Sequence, residues 1–310
     1  MIDQLLHALH AFADYLGSLG WAALGAAAGC HVAKIVARTR AWRNILAAAH
    51  PRVNVRWRSV FGAYAAGTAV NAVVPARGGD ALKLFLARRR IPGSSYPTLV
   101  STLAVETLVD MVVSAGLLLW ALQQHALPGL DVLPRLRTVD WSWADRHPRV
   151  ALVAGVALLV VVLAAAFWAR PRLREFMDRV RAGGAILRTP ALYLRHVVVW
   201  QLLDWALRLA TVYWLLRAFG VPSTARNVLL VQVTQNLSTL LPLTPGGIGT
   251  EQGLLVYVFS GTAPAAAVLS FSVGMKITLT AVNLALGLPA MAVMLRTLRW
   301  RGVSRDAALE

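Results

Sequence analysis

The chain has 310 residues, of which 57% are hydrophobic and 15% charged. Its mean hydropathy is +0.59, which excludes an ordinary soluble domain and points to a polytopic membrane protein. The net charge of +17 comes from 31 Lys and Arg against 14 Asp and Glu; these bases gather beside apolar runs, where the positive-inside rule and anionic lipid account for them without nucleic acid.

Residues 1–14 contain Asp3, Asp14 and two histidines instead of the basic start and apolar stretch of a cleavable signal. His7 and His10 read as a solvated helix face, not a metal pair. Residues 15–36 form the first predicted helix, with the single cysteine, Cys30, inside it, so neither a disulfide framework nor a Cys-based metal site is expected. Lys34, Arg38, Arg40, Arg43, Arg52, Arg56 and Arg58 follow with no acid between 37 and 60, which predicts a cytoplasmic loop.

Residues 59–74 re-enter apolar sequence, but 16 residues reach only about 24 Å against a hydrocarbon core of about 30 Å. The helix is expected to stop at Pro75. Asp80 to Leu86 then make a short return helix ending at Arg88, Arg89 and Arg90, so the pair reads as a re-entrant hairpin open to the cytoplasm.

Residues 97–122 cross outward to Trp120, and 123–148, with Asp131, Asp140, Asp145, Trp141 and Trp143, read as an external loop lying on the membrane. Residues 149–168 return. The segment 170–190 is a basic cytoplasmic surface segment suited to anionic lipid. Residues 196–219 cross outward, and 226–241 enter again and stop at Pro242. The second short helix, Thr250 to Ser260, carries no basic residue and is expected to return outward. Residues 263–295 are long enough for one helix, tilted or bent at Pro289, and Arg296, Arg299, Arg301 and Arg305 hold the C-terminus in the cytoplasm.

Two Pro/Gly breaks therefore interrupt membrane-grade sequence, VNAVVPARGGDALK at 70–83 and LSTLLPLTPGGIGTEQG at 237–253. A bilayer cannot satisfy freed backbone amides, so such breaks imply surrounding protein or a wet cavity, and a matched pair in two halves points to a binding site. Pro75 and Pro242 stand 167 residues apart, Gly78 and Gly246 168 apart, as in a duplication. The expected fold is an all-α polytopic membrane protein: one integral membrane domain over 1–310, with halves at about 15–169 and 191–296. It is an inverted repeat with two re-entrant helical hairpins and about 7–8 membrane segments.

Ionisable groups within spans cost about 2.5–3.5 kcal/mol each and are functional candidates by default. Glu106 and Asp110 lie four apart on one helix face and need cations; Arg77, Lys83, Arg208 and Lys276 are available. Asp204 and Arg208, one turn apart, are a possible structural or coupling pair. The glycines Gly78, Gly79, Gly246, Gly247 and Gly249 would let an anionic headgroup approach backbone amides at helix starts, with Arg77 adding a charged bond; tight helix packing explains the same glycines. Asp80 and Glu251 follow the two breaks, and Asn71, Asn236 and Asn283 would line a polar path or bond across helices.

The first break with STLAVETLVD, and the second with its Pro-Gly-Gly-Ile-Gly segment, resemble the two signature regions of the flippase domain of lysylphosphatidylglycerol synthases. The resemblance spans most of residues 15–296 and implies a stand-alone flippase-like domain without the soluble aminoacyl-transferring part. Members usually show Gly-Glu then Arg where this chain has Gly79-Asp80 then Lys83, and Glu-Arg where it has Glu106-Thr107. The expected activity is movement of a phosphate-bearing lipid, aminoacylated or isoprenoid, between leaflets of a bacterial inner membrane. Its expected binding residues are Arg77, Gly78, Gly79, Asp80, Lys83, Glu106, Asp110, Gly246, Gly247, Gly249, Glu251 and Lys276. No catalytic residue, metal or cofactor is expected, and no P-loop is present for ATP. The alternatives are an integral membrane enzyme acting on lipid phosphates, with Glu106 or Asp110 as base, or a non-catalytic partner of a lipid glycosyltransferase or other lipid-synthesis enzyme.

Overall fold

A computed structural model of the chain describes residues 20–74, 78–123, 177–240 and 249–306. Arg77, Gly246, Gly247, both break prolines, the external loop, the crossing at 149–168 and most of the surface segment lie outside the described residues. Among those described, all regular structure is helical.

The first helix, α1 (Trp21–Ala49), corrects the expected 15–36: it runs straight through Arg38, Arg40 and Arg43 and takes up much of the expected cytoplasmic loop. Arginine is a good helix former, and nothing breaks the helix before His50, whose N–H still reaches Leu46 O at 3.0 Å. Pro51 follows and ends it. The next helix, α2 (Trp57–Val73), stops as expected, because Val74 is extended at φ −93°, ψ 122°, the conformation that a following proline imposes.

The return helix α3 (Gly78–Arg90) packs back along α2. Helix α4 (Tyr96–Gln123) begins with Pro97 in its first turn, and Ser95 Oγ accepts the Thr98 N–H at 3.4 Å. After a short lead-in and one wide π turn at Leu194–Val198, α5 (Val199–Ala218) ends on Gly220 at φ 68°. Val221 N–H reaches Leu216 O at 2.9 Å and Gly220 N–H reaches Arg217 O at 3.3 Å, the paired bonds of a Schellman stop. Helix α6 (Ala225–Leu240) is capped by Thr224 Oγ1, which accepts the Asn227 N–H at 3.2 Å. The second short helix is α7 (Thr250–Val258), and α8 (Ala265–Asp306) continues unbroken through Pro289 as one helix.

Among the described residues three apolar clusters form: Ala41, Ile45, Val105, Ile186 and Val197 make a small one beside α4 and the lead-in to α5, and the two larger ones lie toward opposite ends of α1. Trp42, Leu46, Val60, Leu86 and Leu99 join one end of α1 to α2, α3 and α4; Ala27, Leu215, Val231, Leu255, Phe259 and Phe271 join its other end to α5, α6, α7 and α8. Helix α1 thus reaches both of the larger cores, and its middle lies between them. The helices α4, Tyr96–Gln123, and the Ala265–Arg296 part of α8 are long and apolar enough to cross a membrane, and only 17% and 11% of their most apolar windows are buried. Met111, Val112, Ile277 and Val293 stand exposed on them, as lipid-facing side chains would.

Candidate functional site

The middle of α1 presents His31, Lys34, Arg38 and Trp42 at helical spacing on its inner side. Arg38 is the hub. Its Nε donates to Glu106 Oε1 at 2.8 Å, Nη2 to Asp110 Oδ2 at 2.5 Å and Nη1 to Asp204 Oδ2 at 3.3 Å. One guanidinium thus joins two acids of α4 to one of α5, a use that its rigid fork suits and an ammonium would not. Glu106 and Asp204 are 2% and 1% exposed, so these charges survive only because they are paired.

Two further cations complete the cluster. Lys83 Nζ lies 3.5 Å from Glu106 Oε2, and it sits over the rings of Tyr64 at 4.1 Å and Trp42 at 4.6 Å. Arg208 Nη2 lies 3.6 Å from Asp204 Oδ2 and stacks over Trp205 at 4.6 Å. Neutral donors hold the acids in place: Trp205 Nε1 donates to Asp110 Oδ1 at 2.8 Å, and Gln201 Nε2 donates to the Glu106 carbonyl. Three carboxylates therefore meet three cations within 4 Å.

Lys83, Glu106, Asp110, Asp204 and Arg208 stand out in the sequence as costly charges, and the structure brings all of them together. Arg38 does not stand out there. Its signal was present, since Lys34 and Arg38 are one turn apart on a helix with no breaker before Pro51, but a run of arginines without acids reads as a loop. The guanidinium beside Glu106 comes from α1 and not from position 107, where Thr107 is exposed and bonds Ala104 O.

Of the two readings open for the glycines of the first break, ligand access and helix packing, Gly79 fits packing. The space beside Gly79 is not open to a ligand: a Cβ there would overlap the Gly67 carbonyl oxygen, and one on Gly67 would lie 2.7 Å from Gly79 O. The Gly79 N–H donates to Asn71 Oδ1 at 2.8 Å, while Asn71 Nδ2 donates to Asp80 Oδ1 at 3.2 Å. Asn71 thus satisfies a helix-start amide and fastens Asp80 to α2. Gly78 is exposed and borders Val74.

Elsewhere Gly249, at φ 93° and with no described residue within 4 Å of the place a methyl group would take, leads into α7 and donates its N–H to Gln252 Oε1 at 2.7 Å. Glu251 and Lys276 form a second pair, 3.8 Å apart, that stands apart from the Arg38 cluster. Gln235 Nε2 donates to Glu251 Oε1 at 3.4 Å, and Asn236 Nδ2 donates to Ser114 Oγ at 3.1 Å. Between the two ionic groups lies a cavity of about 250 Å³, lined by Lys34 and Arg208 on one side and by Gln232, Gln235 and Asn236 of α6 on the other.

Comparison with known proteins agrees with the resemblance in the breaks. Residues 2–287 match the family described as "Lysylphosphatidylglycerol synthase TM region". The chain is also 30% identical over 252 residues to the protein named "Glycosyltransferase AglD" of Haloferax volcanii, a match covering 67% of this chain and 40% of that protein. The chain thus spans well under half the length of that curated relative. No solved structure matches this chain.

Proposed function

Because the chain belongs to the lysylphosphatidylglycerol synthase transmembrane-region family, a family of membrane domains, we propose that it moves a phosphate-bearing lipid between the leaflets of a bacterial cytoplasmic membrane, with its C-terminus in the cytoplasm. The two helix-break-helix units, α2–α3 and α6–α7, are the re-entrant hairpins of an inverted repeat. The first opens to the cytoplasm and the second to the outside.

The observation that carries this reading is the buried Arg38 cluster with a polar cavity beside it, set between two apolar cores. Charges at such depth are costly, at about 2.5–3.5 kcal/mol each, and mark substrate or ion pathways. Glu106 and Asp110 are both tied to Arg38, which leaves neither as a free general base and favours carriage over lipid chemistry. The similarity to a protein named as a glycosyltransferase favours a second reading, in which the chain serves a lipid glycosyltransferase as partner.

Purified protein in liposomes separates the two. Carriage predicts that fluorescent phosphatidylglycerol in the inner leaflet becomes accessible to an external quencher with the protein alone, and that Asp80→Asn and Glu106→Gln slow this. Unslowed movement in both variants removes these acids from the mechanism, and no movement without an added glycosyltransferase favours the partner role.

A further inference from the structure

Among the polar atoms left over once the ion pairs are assigned, several gather around one space. The cavity beside Arg38 is bounded by α1, α5 and α6, with Leu279 of α8 at its edge, and its volume of about 250 Å³ approaches the small end of ligand sites, about 300 Å³. None of the described residues that line it is acidic.

Its unpaired atoms are of two kinds. Lys34 takes part in no hydrogen bond or ion pair among the described residues, unlike Arg38, Lys83 and Arg208. Arg208 Nε is buried without an acceptor, while Gln232 Oε1 is buried without a donor, and so is His31 Nδ1. Gln232 and His31 are 2% and 4% exposed. His31 Nε2 donates to Asn283 Oδ1 at 2.9 Å, which leaves Nδ1 of the neutral ring as an acceptor. Buried polar groups are ordinarily hydrogen-bonded, so three unpaired buried atoms and the half-buried Lys34 around one space describe the complement of what enters it.

The complement of an ammonium and a guanidinium N–H is a phosphate oxygen, and the complement of an amide oxygen and an imidazole lone pair is a hydroxyl group. A cationic headgroup would meet two like charges and no carboxylate on these walls. Building on the lipid-carriage reading, we propose that this cavity seats a phosphate ester bearing a hydroxylated group, glycerol or a sugar, and discriminates against aminoacylated headgroups. A soluble glycerol phosphate shares this chemistry with a lipid. The lipid is favoured because Val273 and Ile277 of α8, the helix that carries Leu279, are 49% and 64% exposed, which lets acyl chains stay outside while the headgroup enters.

The test is calorimetric titration of the full chain in neutral detergent with inorganic phosphate, glycerol 1-phosphate, dihexanoylphosphatidylglycerol and the lysyl ester of that lipid. Affinity rises in that order over the first three, and the lysyl ester binds about tenfold more weakly than its parent. Lys34→Gln weakens all of the phosphate ligands about tenfold, and because Lys34 is unpaired, the unfolding midpoint does not fall. Gln232→Leu removes the preference for glycerol phosphate over inorganic phosphate and little else. Unchanged affinity in Lys34→Gln, or a lysyl ester that binds as tightly as its parent, overturns the proposal; equal affinity for glycerol phosphate and the lipid overturns its lipid part. Failure here is distinct from failure of carriage: leaflet movement with no binding defect in Lys34→Gln sinks only the cavity, whereas intact binding with no leaflet movement sinks only carriage.

Discussion

The two helix-break-helix units differ in how tightly their limbs are joined. In the first, α2 and α3 meet at the Gly67–Gly79 contact, Asn71 bonds both Gly79 and Asp80, and Lys83 is buried between Tyr64, Trp42 and Glu106. In the second, Val231 of α6 packs in one core with Leu255 of α7 and Phe259 at its end, Gln235 reaches Glu251 at 3.4 Å, no described residue crowds Gly249, and the Lys276 side chain of α8 that answers Glu251 is 41% exposed. A contact closed by backbone on backbone has little freedom to move, while the polar links of the second unit, one long side-chain bond and a half-exposed ion pair to α8, add little to the apolar packing of α6 on α7. The difference lies in the polar links: the first unit is closed by backbone contact and a buried lysine, and Arg38 ties the adjoining α4 to Asp204 on α5, whereas the second unit depends on its apolar packing.

Substitutions can break this contrast at several levels. The largest effect is expected from Arg38→Gln, which leaves Glu106, Asp110 and Asp204 without their shared cation and costs about 3–5 kcal/mol. Thermal unfolding in detergent reads it, and adding Asp204→Asn should recover part of the loss. Gly79→Ala comes next at about 1–3 kcal/mol, because the methyl meets backbone rather than a flexible side chain. Gly249→Ala has room for the methyl but must hold φ 93°, which costs about 1–2 kcal/mol through backbone strain alone. A Gly249→Ala loss equal to or above that of Gly79→Ala would reverse the ranking of the two units. Lys276→Gln is the mildest, within about 1 kcal/mol for a half-exposed pair; its expected signature is a change in the rate of leaflet movement at unchanged unfolding midpoint.

Much of the helix plan was legible because the breakers are local. Pro75 forces Val74 out of helical conformation and ends α2, and the short helices begin at or just past the glycines, the first running on from the predicted Leu86 to Arg90 and the second ending at Val258, just before the predicted Ser260. Helix α1 was not legible, because composition alone cannot tell arginines in a loop from arginines on a helix whose charges are met by acids 68 and 166 residues away. For the same reason Glu106, Asp110, Lys83 and Arg208 were identifiable as costly charges, but their common partner was not. The glycines of the first break were ambiguous between ligand access and helix packing, and only the position of α2 decides for packing at Gly79. The orphan atoms of Gln232 and His31 left no sequence signal, since an unpaired oxygen is a property of the finished packing.

The central claim is that the two units open to opposite faces of the membrane with the Arg38 cluster between them. Single cysteines at Arg88, at the end of α3, and at Ser260, just past α7, are both exposed positions that report this directly in a Cys30→Ala background. With a membrane-impermeant thiol reagent added to intact cells, Ser260→Cys should be labelled and Arg88→Cys protected until the cells are opened. Labelling of Arg88→Cys from outside, or protection of both, contradicts the account.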